Sequence, residues 1–411
     1  MKIVKKMTFI VALLKSCLSF CYSDNYDDPK SYFVRPIDIV CDYPFNDTTK
    51  WAITCRVWGL LKYYHPNVTA GKLDWDQVLI EKIGKIKEAD TPDQVNFELM
   101  QMIQNAGEYE FSKDITWNDS LNMNVNLCWM DHSFINDSIR LALREIASQT
   151  IEHPSAYIIP EEFYDYLIAV PKENNYNQEM ILQYEYRLLA LFRYWNVIYY
   201  FYPYKYLMDQ SWDATLLEFI PYFEQSCDFT TYHKAIQVLA TRLNDGHGFL
   251  IPSFPYNPLN SRHITLIDSN TVIRTPPGGS LLERCDIIMS IDKRAIVTVR
   301  DSLASIVPSS NSFFTDHTVN CIIYQSIING CSLTVMRDQQ LISICEDKKK
   351  SHGETKPSSF FQNISKDIFY INLDMPIGSD ISGLKDSLKN YSGIILDLRN
   401  YPQNIILLPI C

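Results

Sequence analysis

One aromatic block occurs twice in this chain. Trp58-Gly-Leu-Leu-Lys-Tyr63-Tyr64-His65-Pro66 matches Trp195-Asn-Val-Ile-Tyr-Tyr200-Phe201-Tyr202-Pro203, and Trp75-Asp76 then matches Trp212-Asp213. The tryptophans stand 17 residues apart in each copy (75 − 58 and 212 − 195), so one supersecondary unit is expected twice. Each copy reads as an aromatic helix ended by proline, a short loop, and a second helix opening near Trp-Asp. A third helix is expected from Thr91-Pro92 to Met102, with Thr91 as cap, and its counterpart from Tyr232 to Leu243. The ends of these third helices align at an offset of 140 rather than 137, which asks for a small insertion. Aromatic residues at such spacings belong to a core. They define a helical repeat region, with a first copy over residues 24–170 and a second over 171–252.

Charge narrows the partners. With 48 Asp and Glu against 37 Lys and Arg, the formal charge is −11, and no basic stripe appears. Nucleic acid is therefore excluded as an expected partner, because phosphate binding needs a basic surface. Lys2, Lys5 and Lys6 precede the apolar run Met7 to Leu14, the pattern of a secretory leader over residues 1–23. The protein is expected to be exported to the periplasm or the extracellular space. Leu18-Ser19-Phe20-Cys21 offers lipid anchoring through Cys21 as an alternative to free secretion. The other nine cysteines are unclustered and read as buried thiols rather than a disulfide framework, with a few bridges open after export.

From about Pro252 the texture changes to short β-type runs. Leu281 to Asp292 reads as a turn, a strand and a second turn; Ser332–Met336 and Gln340–Cys345 read as a hairpin. Lys348 to Ser359 reads as a linker, Ile368 to Leu373 as a strand and Ser382 to Lys389 as a helix. Gly393 to Leu396 is then expected to form a strand buried on both faces of a parallel or mixed sheet, with Asp397, Arg399 and Asn400 at its carboxyl end.

One histidine stands out. His247 lies between two glycines just past a helix end, in Leu243-Asn244-Asp245-Gly246-His247-Gly248, and is the candidate general base. The competing reading of that turn is a helix cap. No Gly-x-Ser-x-Gly elbow is present, His-Glu-x-x-His is absent, and no glycine loop cradles phosphate, so neither metal nor cofactor is expected.

The order of these pieces resembles the C-terminal processing (tail-specific) serine peptidases and the related tricorn protease core. A helical region ending in Leu-x-Asp-Gly-His, then Leu281 to Asp292, then Gly393 to Asn400 carry the likeness over about residues 186–402. The resemblance implies a multidomain α+β protein. Its parts would be the helical repeat region, a PDZ-like β module over 253–346, and over 347–411 the N-terminal part of an α/β catalytic domain of the ClpP/crotonase type. It implies proteolysis through an activated serine, a peptide or protein substrate held by its C-terminal segment, and His247 as the catalytic histidine. Cys285 stands where relatives have glycine, and Tyr401-Pro402-Gln403 stands where many have Gly-Gly. In relatives the nucleophile follows well after the Asp-Leu-Arg segment, so this chain reads as truncated before it and inactive alone. The alternative is a non-catalytic peptide-binding or scaffold protein.

Overall fold

The computed structural model describes residues 42–110, 125–149, 155–163, 166–246, 248, 263–348, 361–372 and 388–397. The chain divides into two compact units, residues 1–253 with 305–312, and residues 254–304 with 313–411. The described residues form a mixed helix-and-sheet protein, as the α+β expectation requires. The leader at 1–23, the linker from Lys349 on, the helix from Ser382 to Ser387 and the Arg399–Asn400 turn lie outside the described residues.

In the first unit, α1 (Asp47–Tyr64) opens with a capping box between Asn46 and Thr49 and stops before Pro66, whose ring cannot continue it. The single turn α2 (Pro66–Thr69) leads to α3 (Trp75–Lys87), capped by Asp74, and α4 (Pro92–Asn105), capped by Thr91. Next come α5 (Asp137–Ala147), the hairpin β1 (Ile158–Phe163) and β2 (Tyr166–Pro171), and α6 (Gln178–Ile181). The series closes with α7 (Tyr184–Phe201), α8 (Trp212–Gln225) and α9 (Phe229–Thr241).

The starts of α7, α8 and α9 follow those of α1, α3 and α4 by 137 residues each (184 − 47, 212 − 75, 229 − 92). The third helix of the second copy thus begins three residues before the expected Tyr232, because Asp228 and Thr231 make a capping box there. No insertion separates the helix starts.

The 17-residue spacing has a physical cause. Trp58 Nε1 donates to Trp75 O at 3.0 Å and Trp75 Nε1 donates to Trp58 O at 3.0 Å. In the second copy Trp195 and Trp212 make the same exchange at 2.7 and 2.9 Å. Each pair buries two indoles while satisfying both N–H donors, which a buried indole otherwise lacks.

The two copies also meet each other reciprocally. Arg56 Nη2 donates to Asp213 Oδ1 at 2.6 Å, while Arg193, 137 residues after Arg56, pairs with Asp76, 137 before Asp213. Tyr63 meets Phe201 edge-on at 5.0 Å and Tyr64 meets Tyr200 at 5.6 Å, again a swapped pair. Gly59 and Asn196, which are equivalent residues, face one another. A Cβ on Gly59 would lie 1.8 Å from Asn196 Oδ1. Residue i contacting j while j's counterpart contacts i's counterpart is the pattern of a twofold interface, here within one chain.

The second unit holds an antiparallel sheet of order β3-β4-β5-β7-β8, with β6 (Arg294–Ala295) paired to β5. Its strands are β3 (Ile264–Ile267), β4 (Asn270–Ile273), β5 (Ile287–Ile291), β7 (Cys331–Arg337) and β8 (Gln340–Glu346). The expected hairpin is β7–β8. Asp338 and Gln339 turn it with φ of 49° and 64°, the twist that suits a two-residue connection.

Two helices in this unit interrupt the expected β texture: α10 (Ile296–Ala304) and α11 (Ser312–Asn329). In α11 the run Val319-Asn320-Cys321-Ile322-Ile323-Tyr324 is buried and β-branched, so local propensity favours a strand while tertiary burial selects a helix.

The last sheet has order β11-β10-β9, from β9 (Phe361–Asn363), β10 (Ile368–Asn372) and β11 (Gly393–Asp397). β10 and β11 are parallel and β9 and β10 antiparallel, a mixed sheet. β11 is not buried on both faces, however. Ile394 is 37% and Ile395 44% exposed, on opposite faces, and β11 is an edge strand among the described residues.

Candidate functional site

The turn around His247 is built from its flanks. α9 ends at Thr241, and Asn244 takes a left-handed φ of 52° that asparagine tolerates. Asn244 Nδ2 donates to Asp209 Oδ2 at 2.6 Å, and Asp209 N donates back to Asn244 Oδ1 at 3.2 Å. Tyr202 Oη lies 3.4 Å from Asp245 Oδ2, and Gly248 N donates to Asp245 O at 3.0 Å. Asp245 and Gly248 are thus joined through their backbones, and the approach to them is pinned by Asn244 and Asp209. A Cβ on Gly248 would meet Asp245 O and Leu243 Cδ1, both at 3.3 Å, a tight fit that a side chain would enter only if these neighbours shifted by a few tenths of an ångström. His247 itself lies outside the described residues.

The segment Leu281 to Asp292 opens with a left-handed bend at Cys285. Cys285 adopts φ 73° and donates its N–H to Ile273 O at 2.8 Å. The buried Asp286 carboxylate then holds the turn: Arg337 donates to it through Nε and Nη2, both at 2.7 Å, and Glu283 N donates to it at 2.8 Å. Glu346, at the end of β8, accepts from Leu281 N at 2.9 Å. The bend thus persists without glycine because a buried carboxylate and two strands impose it.

The free edges of the five-strand path among the described residues are β3 and β8. Just before β3, the His263 ring stacks on Tyr324 of α11, with centroids 4.3 Å apart and planes 8° apart. The residue that leads into β3 thus touches α11, and β3 is an open edge among the described residues. At the carboxyl end of β11, Asp397 is 8% exposed and accepts a hydrogen bond from Tyr370 Oη on β10.

The turn between Asp245 and Gly248 belongs to the first unit, and the Cys285 turn and Asp397 to the second. Among the described residues no group of three His, Cys, Asp or Glu could hold a metal ion, and no helix is long and apolar enough to cross a membrane.

Sequence reasoning missed the charged residues between the repeats. Around one pair, Asp76 accepts from Tyr176 Oη at 3.0 Å, Glu173 lies 3.1 Å from Arg193, and the buried Lys62 donates to Glu173 at 2.6 Å. Around the other, burial pulls the Lys205 ammonium down to about 7 against the opposing attraction of Asp213. Nε and Nη1 of Arg56 have no hydrogen-bond partner among the described residues. The 137-residue offset was the signal for these pairs, since it maps Arg56 onto Arg193 and Asp76 onto Asp213.

Compared with protein-family models and with curated proteins, the chain matches none.

Proposed function

We propose that this chain binds peptides by their C-terminal segments, as the recognition part of a serine peptidase of the C-terminal processing type. The observation that carries the reading is the Cys285 turn. A left-handed bend clasped by Asp286 and Arg337 enters β5 of an antiparallel module. That module is followed by a parallel strand pair ending in the buried Asp397. The edge of β3, beside α11, is where the added strand would pair, with backbone bonds giving affinity and α11 side chains giving selectivity. His247 is the general base in this proposal, and the pinned turn at 244–248 supports that placement only through its flanks.

The test is a titration of the full chain with labelled peptides that end in a free carboxylate or in an amide. Binding at micromolar concentrations that amidation weakens at least about tenfold is expected, since carboxylate capture uses charge-assisted hydrogen bonds. Equal binding of both peptides, or none at millimolar concentration, overturns the reading. A fluorophosphonate probe separates the two classes: covalent labelling of a serine means catalysis within these residues, and peptide binding without labelling means recognition alone.

A further inference from the structure

We propose that the Arg56 guanidinium is a recognition site for an acidic peptide, taking a glutamate side-chain carboxylate on Nε and the following backbone carbonyl on Nη1. The internal repeat holds a filled version of the same site. Arg193, the counterpart of Arg56, pairs with Asp76 through Nη2; its Nε lies 3.1 Å from Glu173 Oε2, and its Nη1 donates to Asn174 O at 3.0 Å. One two-residue segment, Glu173-Asn174, thus meets both nitrogens other than Nη2.

Arg56 keeps the aspartate and lacks that segment. Its Nη2 donates to Asp213 Oδ1 at 2.6 Å, while Nε and Nη1 have no hydrogen-bond partner among the described residues. Arg56 is 1% exposed, so these donors are also out of reach of bulk water. Buried guanidinium donors are normally bonded, and two orphans on one side chain call for two acceptors. Asp213, bonded directly to the guanidinium, is 19% exposed, so the site lies one group below the surface.

Charge selects an acid as the occupant. Asp76 and Glu173 pair with Arg193 and Lys62, two carboxylates against two cations. In the other copy Asp213 is the carboxylate that acts on both Arg56 and Lys205. Tyr43, Tyr199 and Cys55 also act on Arg56, but burial raises all three, so they are neutral at pH 7 and add no negative charge. One negative charge is missing, and a glutamate carboxylate supplies it through a charge-assisted hydrogen bond. Neither the β3 edge nor His247 takes part.

The experiment is calorimetric titration of the full chain, at fixed ionic strength, with acetyl-Glu-Asn-amide, acetyl-Gln-Asn-amide and acetate. Both peptides are amidated, so capture of a terminal carboxylate does not contribute, and failure here leaves the peptide-binding reading above untouched. One-to-one binding of the Glu peptide is expected, at least about tenfold tighter than the Gln peptide and than acetate. Arg56→Met should weaken the Glu peptide at least about tenfold and leave the Gln peptide unchanged. Should Arg56→Met fail to fold, Arg56→Lys is used; it keeps the charge, removes the planar donors and should give a similar loss. Equal binding of the Glu and Gln peptides, acetate binding as tightly as the Glu peptide, no binding at millimolar concentration, or full affinity in the folded Arg56 variant overturns the proposal.

Discussion

Arg193 and Arg56 are counterparts in the repeat, yet replacing each by methionine is expected to have unequal cost. Asp76, the partner of Arg193, is 2% exposed, and Arg193 also holds Glu173 at 3.1 Å. Removing Arg193 leaves a buried carboxylate with only Tyr176 and the weaker Asn174 contact, a change worth about 3–5 kcal/mol. Arg56 differs on both sides of its pair. Its partner Asp213 is 19% exposed, so water can replace the lost donor. Two guanidinium nitrogens of Arg56 are already buried without hydrogen bonds, which costs about 1–3 kcal/mol that the substitution recovers. The loss at Arg56 should therefore be no more than about 2 kcal/mol, with methionine retaining much of the packing on the Trp195 ring. All seven tryptophans precede residue 253, so tryptophan fluorescence reports this unit selectively during urea unfolding. With a slope of about 2–3 kcal/mol/M, Arg193→Met should lower the midpoint by roughly 1–2 M and Arg56→Met by less than about 1 M. Equal shifts, or a larger one at Arg56, would refute the argument that burial of the partner sets the cost.

Exchanging the pair at the repeat crossing, Gly59→Asn with Asn196→Gly, should restore most of the melting temperature that Gly59→Asn alone loses. The new amide would face Phe192 O and Cys55 O, which Asn196 now bonds at 2.9 and 3.1 Å; a double variant no better than the single one contradicts the internal twofold. Cys285→Gly should raise the calorimetric transition of the second unit by a few degrees, because a non-glycine residue in the left-handed region costs about 1 kcal/mol. A lowered transition would mean the thiol contributes more than the strain removes. The helical unit should become more stable from pH 5 to pH 9. Burial holds His65 down to about 4, so its contribution is present above its ordinary 6.5 and is lost as pH falls through 4. Lys205, held at about 7, adds stability as pH rises from 7 toward its ordinary 10.5, because the unfolded chain then binds the extra proton. Urea midpoints across this range test the sign, and Lys205→Met should flatten the alkaline limb.

The amino-acid sequence by itself determined the repeat and the local elements whose causes are local. Asn46, Asp74, Thr91 and Asp228 cap helices by reaching their own first turns, and proline ends α1 after Tyr64. The β7–β8 hairpin and the strands β5, β10 and β11 were likewise legible from short-range pattern. Tertiary structure decided what depends on distant partners. It made the β-branched stretch of α11 helical, left Ile394 and Ile395 exposed on an edge strand, and held Cys285 in a left-handed bend. Asp286 and Arg337 are 51 residues apart, and Arg56 and Asp213 are 157 apart. No window of sequence contains such pairs. Their energies come from desolvated charge meeting charge across the fold, and only the folded chain brings those groups together.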